Sequence, residues 1–117
     1  MEVNKLINSI NNAVSEIFDG STIMIGGFGE AGSPVELIHA LIDNGSRNLT
    51  VIANNAGNGR IGLGALIGQR QVKKVICSFA RSPKSITFKE QYENNEIELE
   101  VVPQGTLAER IRSAGAG

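Results

Sequence analysis

Residues 19–34, DGSTIMIGGFGEAGSP, constrain the fold of this chain more than any other stretch. Asp19-Gly20 is a turn pair, and the run from Ser21 to Ile25 that follows has the character of a short buried strand. Gly26, Gly27, Gly29 and Gly32 come next, and Ser33-Pro34 then opens a segment of helical periodicity. A strand that feeds a glycine loop into a helix N-terminus presents free backbone N–H groups and a positive dipole end to one point. Such a point suits a phosphate, a carboxylate or a developing oxyanion.

The strand-to-helix rhythm continues along the chain. Val3, Leu6, Ile7, Ile10, Val14 and Ile17 recur at helical spacing, which predicts an amphipathic helix over 3–18. A buried strand is expected over 21–26. After it comes a helix capped by Ser33, with Pro34 in its first turn, running to about Asn44 and stopped by Gly45. Leu49 to Ala53 forms a second apolar strand, followed by a polar glycine loop, Asn54 to Gly62, and a short apolar segment, Leu63 to Ile67. Lys73 to Phe79 reads as a third strand and Ser85 to Asn94 as a helix. Glu96 to Val102 alternates acidic and apolar residues, the period of a half-buried strand. Thr106 and Glu109 form a T-x-x-E capping box that predicts a helix through about Ser113.

Alternating strands and helices indicate the α/β class, with an open, mostly parallel sheet and flanking helices. Ligands of such sheets lie beyond the carboxyl ends of the strands. Four loops fall there: Gly27 to Gly32, Asn54 to Gly59, Ser78 to Arg81, and Pro103 to Thr106.

With 117 residues, 41% of them apolar, the chain suits one domain over 1–117. It ends at Ala114-Gly-Ala-Gly117 without a closing strand, so the domain reads as incomplete at its C-terminus. A net charge of −1 with interspersed signs gives no nucleic-acid footprint. Four Phe, one Tyr and no Trp offer little for base stacking. A single cysteine, Cys77, excludes an internal disulfide and a cysteine-based zinc site, and no metal is expected. No signal-peptide pattern or membrane-length apolar run is visible, so a cytoplasmic protein with no membrane partner is the expectation.

Gly27-Phe-Gly-Glu-Ala-Gly32 satisfies G-x-G-x-x-G, the pattern of a dinucleotide-binding loop. Against that reading, the end of the second strand carries Asn54-Asn55 where an acidic residue should meet a ribose hydroxyl. A longer frame fits better: Asp19-Gly20, Ile23-Met24-Ile25, Gly26-Gly27-Phe28, Gly32 and Pro34. It resembles the first signature of the A (alpha) subunits of family I coenzyme A transferases. The resemblance continues through Asn54-Asn-Ala-Gly-Asn-Gly59, Gly62-Leu-Gly64 and Pro103-Gln-Gly-Thr-Leu-Ala-Glu-Arg-Ile-Arg112, and so covers essentially the whole chain. Ala56 to Gly59 and Ser78 to Ser82 look most like the members acting on 3-oxoadipate, with acetoacetate and acetate enzymes close relatives.

That resemblance implies exchange of CoA between carboxylic acids, from an acyl-CoA such as succinyl-CoA to a 3-oxo acid. CoA enters as a thioester substrate, with no permanently bound cofactor. A glutamate of a separate B (beta) subunit, in a Ser-Glu-Asn-Gly segment, would be the nucleophile. No such segment occurs here, so no catalytic residue is expected in this chain. The resemblance assigns substrate binding to Asn54 and Gln104, with Asn55, Gly26, Gly27, Phe28 and Gly29 around them. Neutral amides of this kind can hold an acyl oxygen without neutralising a nucleophile. The alternative is a CoA- or anion-binding or docking remnant that kept the fold and lost catalysis.

The remaining candidates have plainer readings. Glu36 and Glu109 suit first-turn helix carboxylates, His39 a helix-surface or packing residue, and Cys77 a small buried hydrophobe. The cations of Gln69 to Lys74 fit a solvated turn better than a CoA phosphate site. Arg81, following a strand end, is the better candidate to grip a carboxylate.

Overall fold

A computed structural model describes residues 3–117. In chain order they form α1 (Ile10–Val14), β1 (Thr22–Met24), α2 (Val35–Asn44), β2 (Leu49–Ile52), α3 (Leu63–Gly68), β3 (Val72–Cys77), α4 (Ile86–Glu93), β4 (Glu98–Val101) and α5 (Gln104–Ala116). The strands make one four-stranded sheet in the order β1-β2-β3-β4. Every pairing is parallel. The α/β class expected from the sequence is therefore the one observed.

Spatial order equals chain order in this sheet. Right-handed crossovers that always step the same way put their helices on one side. Accordingly α2 packs on α3, and α3 on α4. Burial follows. Leu49, Val51, Val75 and Cys77 are fully buried under these helices, whereas Thr50, Ile52, Lys74 and Ile76 between them are only half buried. The core is completed by Ile38 and Leu41 from α2, Leu66 and Ile67 from α3, and Phe88 from α4.

Glu100 lies in the alternate row of the sheet, in register with Ile76 and through it with Ile52 and Met24. Arg110 of α5 reaches its carboxylate at 2.6 Å and Lys74 at 3.2 Å. Arg110, and after it Lys74, hold the Glu100 carboxyl below the usual carboxylate value. The sign follows from linkage: a lowered folded pKa contributes stability above the unfolded value, lost as pH falls through the folded one. Glu100 and Lys74 are only half buried and Arg110 is exposed, so the contribution is small.

Several element ends differ from expectation. The helix expected over 3–18 contracts to Ile10–Val14, because Ser9 caps it, its Oγ accepting from Asn12 N–H at 3.4 Å, and Ser15 closes it. Val3, Leu6 and Ile7 are exposed, so extending the helix through them would bury little apolar surface. Pro34, not Ser33, is the residue before α2, and no side chain caps it. Gly45 does end α2, in the left-handed conformation at φ 79°. At α5 the T-x-x-E box is not used as a cap. The Pro103 carbonyl accepts from Leu107 N–H at 2.8 Å, which starts the helix at Gln104 and leaves Thr106 inside it. Glu109 consequently sits past the first turn, paired with Arg112.

Among the described residues no helix is long and apolar enough to cross a membrane. No group of three or more His, Cys, Asp or Glu side chains among them could hold a metal ion.

One contact fixes the polar glycine loop against α3. A Cβ added at Gly57 would stand 2.6 Å from Gly64 N, and one added at Gly64 would stand 2.5 Å from Gly59 O. Gly57 also has φ 78°. Gly64→Ala is expected to lower stability by about 2–3 kcal/mol through this clash, despite alanine's better helix propensity. Gly105→Ala in α5, where the added methyl meets open space, is expected to be neutral or stabilising by less than about 1 kcal/mol. Urea denaturation of the two variants checks the contrast.

Candidate functional site

The carboxyl ends of β1, β2 and β3 release three loops that meet at Asn54. Its backbone carbonyl accepts from Phe79 N–H at 3.1 Å and from Ser78 Oγ at 3.1 Å, joining the loop after β2 to the loop after β3. Its side chain reaches both ways. Nδ2 donates to Gly27 O at 2.5 Å, in the glycine loop after β1, while Oδ1 accepts from Gln104 Nε2 at 3.0 Å. Ser78 Oγ also contacts Gln104 Oε1.

Gln104 can make these contacts because it is the first residue of α5 rather than part of a loop. Starting the helix at Pro103 turns the Gln104 carboxamide back over the sheet end. Asn54 Nδ2 and Gln104 Nε2 each carry two hydrogens and spend one within the protein. Each therefore retains one N–H for a ligand, and neither amide has a carboxylate hydrogen-bonded to it.

Beside this cluster lies a cavity of about 180 Å³ between the loop after β1 and the loop after β2. Gly26, Gly27 and Gly29 line one wall, and Asn54, Asn55 and Gly57 to Leu63 line the other. Gly27 has φ 130°, and a Cβ there would come within 3.3 Å of Ala31 O and of Ser33 backbone atoms, so a side chain would block the turn. Asn55 spans the gap: Oδ1 accepts from Gly57 N–H at 2.8 Å, and Nδ2 donates to Gly29 O at 3.4 Å. Glu30 and Arg60 bring one charge of each sign to the cavity.

The structure thus brings together Gly26, Gly27, Gly29, Asn54, Asn55 and Gln104. It does not bring Phe28 to the cavity. Phe28 N–H donates to Ala31 O at 2.9 Å, Ala31 N–H returns to Phe28 O at 3.1 Å, and the ring at this hairpin is 83% exposed. Cys77 is buried, and burial pushes its thiol pKa up, so it stays a protonated packing group. The cations of residues 69–74 sit toward the opposite end of the sheet. There Arg70 pairs with Glu96, and Lys74 with Glu100.

Two contributors escaped sequence reasoning. His39, on the exposed side of α2, accepts Gly62 N–H on Nε2 at 3.2 Å and so tethers the far end of the cavity wall. Ser85 Oγ donates to Gly57 O, and Gly59 N–H donates to Lys84 O at 2.7 Å. The loop after β2 is therefore pinned from both α2 and the start of α4.

A sequence model of the Coenzyme A transferase family matches residues 7–117. The chain belongs to the coenzyme A transferase family. Within it, the chain is 60% identical over 115 residues to the A-type subunit of 3-oxoadipate CoA-transferase from Pseudomonas putida, and 53% identical to the Acinetobacter baylyi protein of that name. Each match covers 98% of this chain and 50% of the relative. The A-type subunit of a probable succinyl-CoA:3-ketoacid coenzyme A transferase from Bacillus subtilis is 46% identical, over 97% of this chain and 47% of its own length. The chain thus spans about half the length of these curated relatives. A crystal structure of a variant of the decarboxylase AibA/AibB superposes with a TM-score of 0.80 at 23% identity, over 93% of this chain and 43% of that one. That likeness establishes the shared fold.

Asn54→Ala removes its side-chain links to the loop after β1 and to the start of α5, and is expected to cost about 1–2 kcal/mol of stability. Asn54→Asp keeps the shape but turns an anion toward Gly27 O. Its penalty should be larger at neutral pH and should shrink as acid protonates the introduced carboxyl and restores a donor. Urea midpoints across a pH series read both effects.

Proposed function

We propose that this chain supplies the substrate-carboxylate half of a CoA-transferase active site, serving as the A (alpha) component beside a separate B (beta) subunit that carries the nucleophilic glutamate. The observation that carries this is the Asn54–Gln104 pair, which offers two uncommitted N–H donors at the carboxyl edge of the sheet. The names of the 60%- and 53%-identical relatives support 3-oxoadipate as acceptor, and the Bacillus subtilis relative supports a 3-oxo acid more generally, with succinyl-CoA as donor. Acetoacetate comes next among acceptors, and acetate after it. The bacterial sources of these relatives favour the cytoplasm.

In the proposed cycle the partner's glutamate carboxylate attacks the acyl-CoA carbonyl. A tetrahedral oxyanion forms and collapses to a mixed anhydride with loss of the CoA thiolate. The thiolate then attacks the glutamyl carbonyl of the anhydride, which gives a glutamyl-CoA thioester and frees the donor acid. An acceptor carboxylate runs the same steps in reverse. Donors of fixed direction, aimed at the developing oxyanion, lower the barrier at each addition, because they need no reorganisation as charge builds. The Asn54 and Gln104 amides are neutral, so they can do this without pairing with the nucleophile and damping its reactivity.

Gln104→Ala in the assembled two-subunit enzyme is expected to lower kcat by about 10²–10³, with little change in melting temperature. Acyl-CoA without acceptor should leave a thioester on the partner subunit, seen as an added CoA mass, and none on this chain. CoA binding with no exchange, under any partner, would overturn the proposal in favour of the non-catalytic binding reading.

A further inference from the structure

We infer that the groove beside β4 receives the distal carboxylate of a dicarboxylic 3-oxo acid, and that Arg81 is the group that selects such an acceptor over a monocarboxylic one. This rests on the CoA-transferase reading above and names what would set its acceptor choice.

The first support is position. Arg81 lies on the loop that leaves β3, and the opening residues of that loop, Ser78 and Phe79, are the ones that hold the Asn54 carbonyl. A bridge between Asn55 and Phe79 keeps this loop parallel to its neighbour as far as Phe79. Arg81 follows Phe79 by two residues, so it stands within about 7 Å of Phe79. The carboxyl carbons of a six-carbon diacid, joined by five zigzag bonds of ~1.5 Å, lie about 6 Å apart. A substrate with one carboxylate at Asn54 and Gln104 and its chain directed past Ser78, which contacts Gln104 and lines the groove with Arg81, would turn the other toward Arg81.

The second support is the chemistry of the groove, whose volume is about 760 Å³. Phe79, Phe88, Leu99 and Val101 give it apolar walls suited to methylenes, and Arg81 and Lys89 give it two cations with no carboxylate among its lining residues. Lys89 stands 4.0 Å from Glu93 on its own helix. Arg81 has no ion-pair or hydrogen-bond partner among the described residues. Arg60 lines the other cavity, together with Glu30, and not this groove.

The test uses the enzyme assembled from the full-length protein that contains this chain and its B-type partner, with succinyl-CoA as donor and either 3-oxoadipate or acetoacetate as acceptor. In a ping-pong cycle kcat/KM for each acceptor reports its own half-reaction. Arg81→Gln is expected to lower kcat/KM for 3-oxoadipate by about tenfold or more, mainly through KM, as loss of a charge-assisted contact requires. The acetoacetate value should stay within about twofold, and Arg81→Lys should recover part of the loss. Equal losses for both acceptors, or no loss, would overturn the inference while leaving the transferase reading intact. So would a raised KM for succinyl-CoA whatever the acceptor, which would assign Arg81 to a CoA phosphate. A wild-type enzyme that transfers CoA to neither acceptor would overturn the transferase reading, and this inference with it.

Discussion

Asn54 is where the separate parts of this fold are made to agree. Parallel strands end without turning back on one another, so the loops that leave them have no ladder to set their relative positions. Here one residue sets them. Its carbonyl uses both lone pairs on the loop after β3, and its carboxamide donates to the loop after β1 while accepting from the first residue of α5. Each of these groups would otherwise need water or another partner, so moving any loop leaves a polar atom unsatisfied. The placement of these loops thus depends on the hydrogen bonds at Asn54 together with the close backbone packing of Gly57 against Gly64.

That arrangement also explains the chemistry available on this side of the site. All the polar groups gathered around Asn54 are amides, a hydroxyl and backbone N–H or C=O groups. Such a lining can orient an anion and follow its charge as it grows, yet holds no proton donor or base strong enough to compete with a carboxylate nucleophile.

Much of this was legible in the chain because the signals were local. The glycine run after β1, the apolar run Leu49 to Ala53 and the alternation of Glu96 to Val102 marked the strands directly. Local signals also misled. Helical spacing of Val3, Leu6 and Ile7 describes a face that could be buried, but not whether anything lies opposite it. Thr106 and Glu109 make a valid cap in sequence, yet the Pro103 carbonyl begins α5 earlier. What stayed hidden was long-range. Asn54 and Gln104 touch across 50 residues of chain, and the partnership of His39 with Gly62 N–H spans 23. Nothing in the appearance of Ser78 or Ser85 separates them from other serines until the loops they hold are in place. Phe28 sits inside the glycine signature, and only its exposure in the folded chain separates it from the cavity-lining glycines around it.

A sheet whose spatial order repeats its chain order has a bearing on how the molecule comes into being. Each new strand needs only its immediate predecessor as a template, and α2, α3 and α4 each lie beside the helix made just before. Each strand pairing therefore closes no more than one strand–helix–strand unit, and loop-closure entropy grows only slowly with loop length. During synthesis from the amino end, β1 and β2 can pair around α2 before β3 has left the ribosome. The Asn54–Gln104 contact is the exception, since it must wait for α5. Assembly of the scaffold and completion of the site are thereby separated in time, with the first able to finish before the second begins.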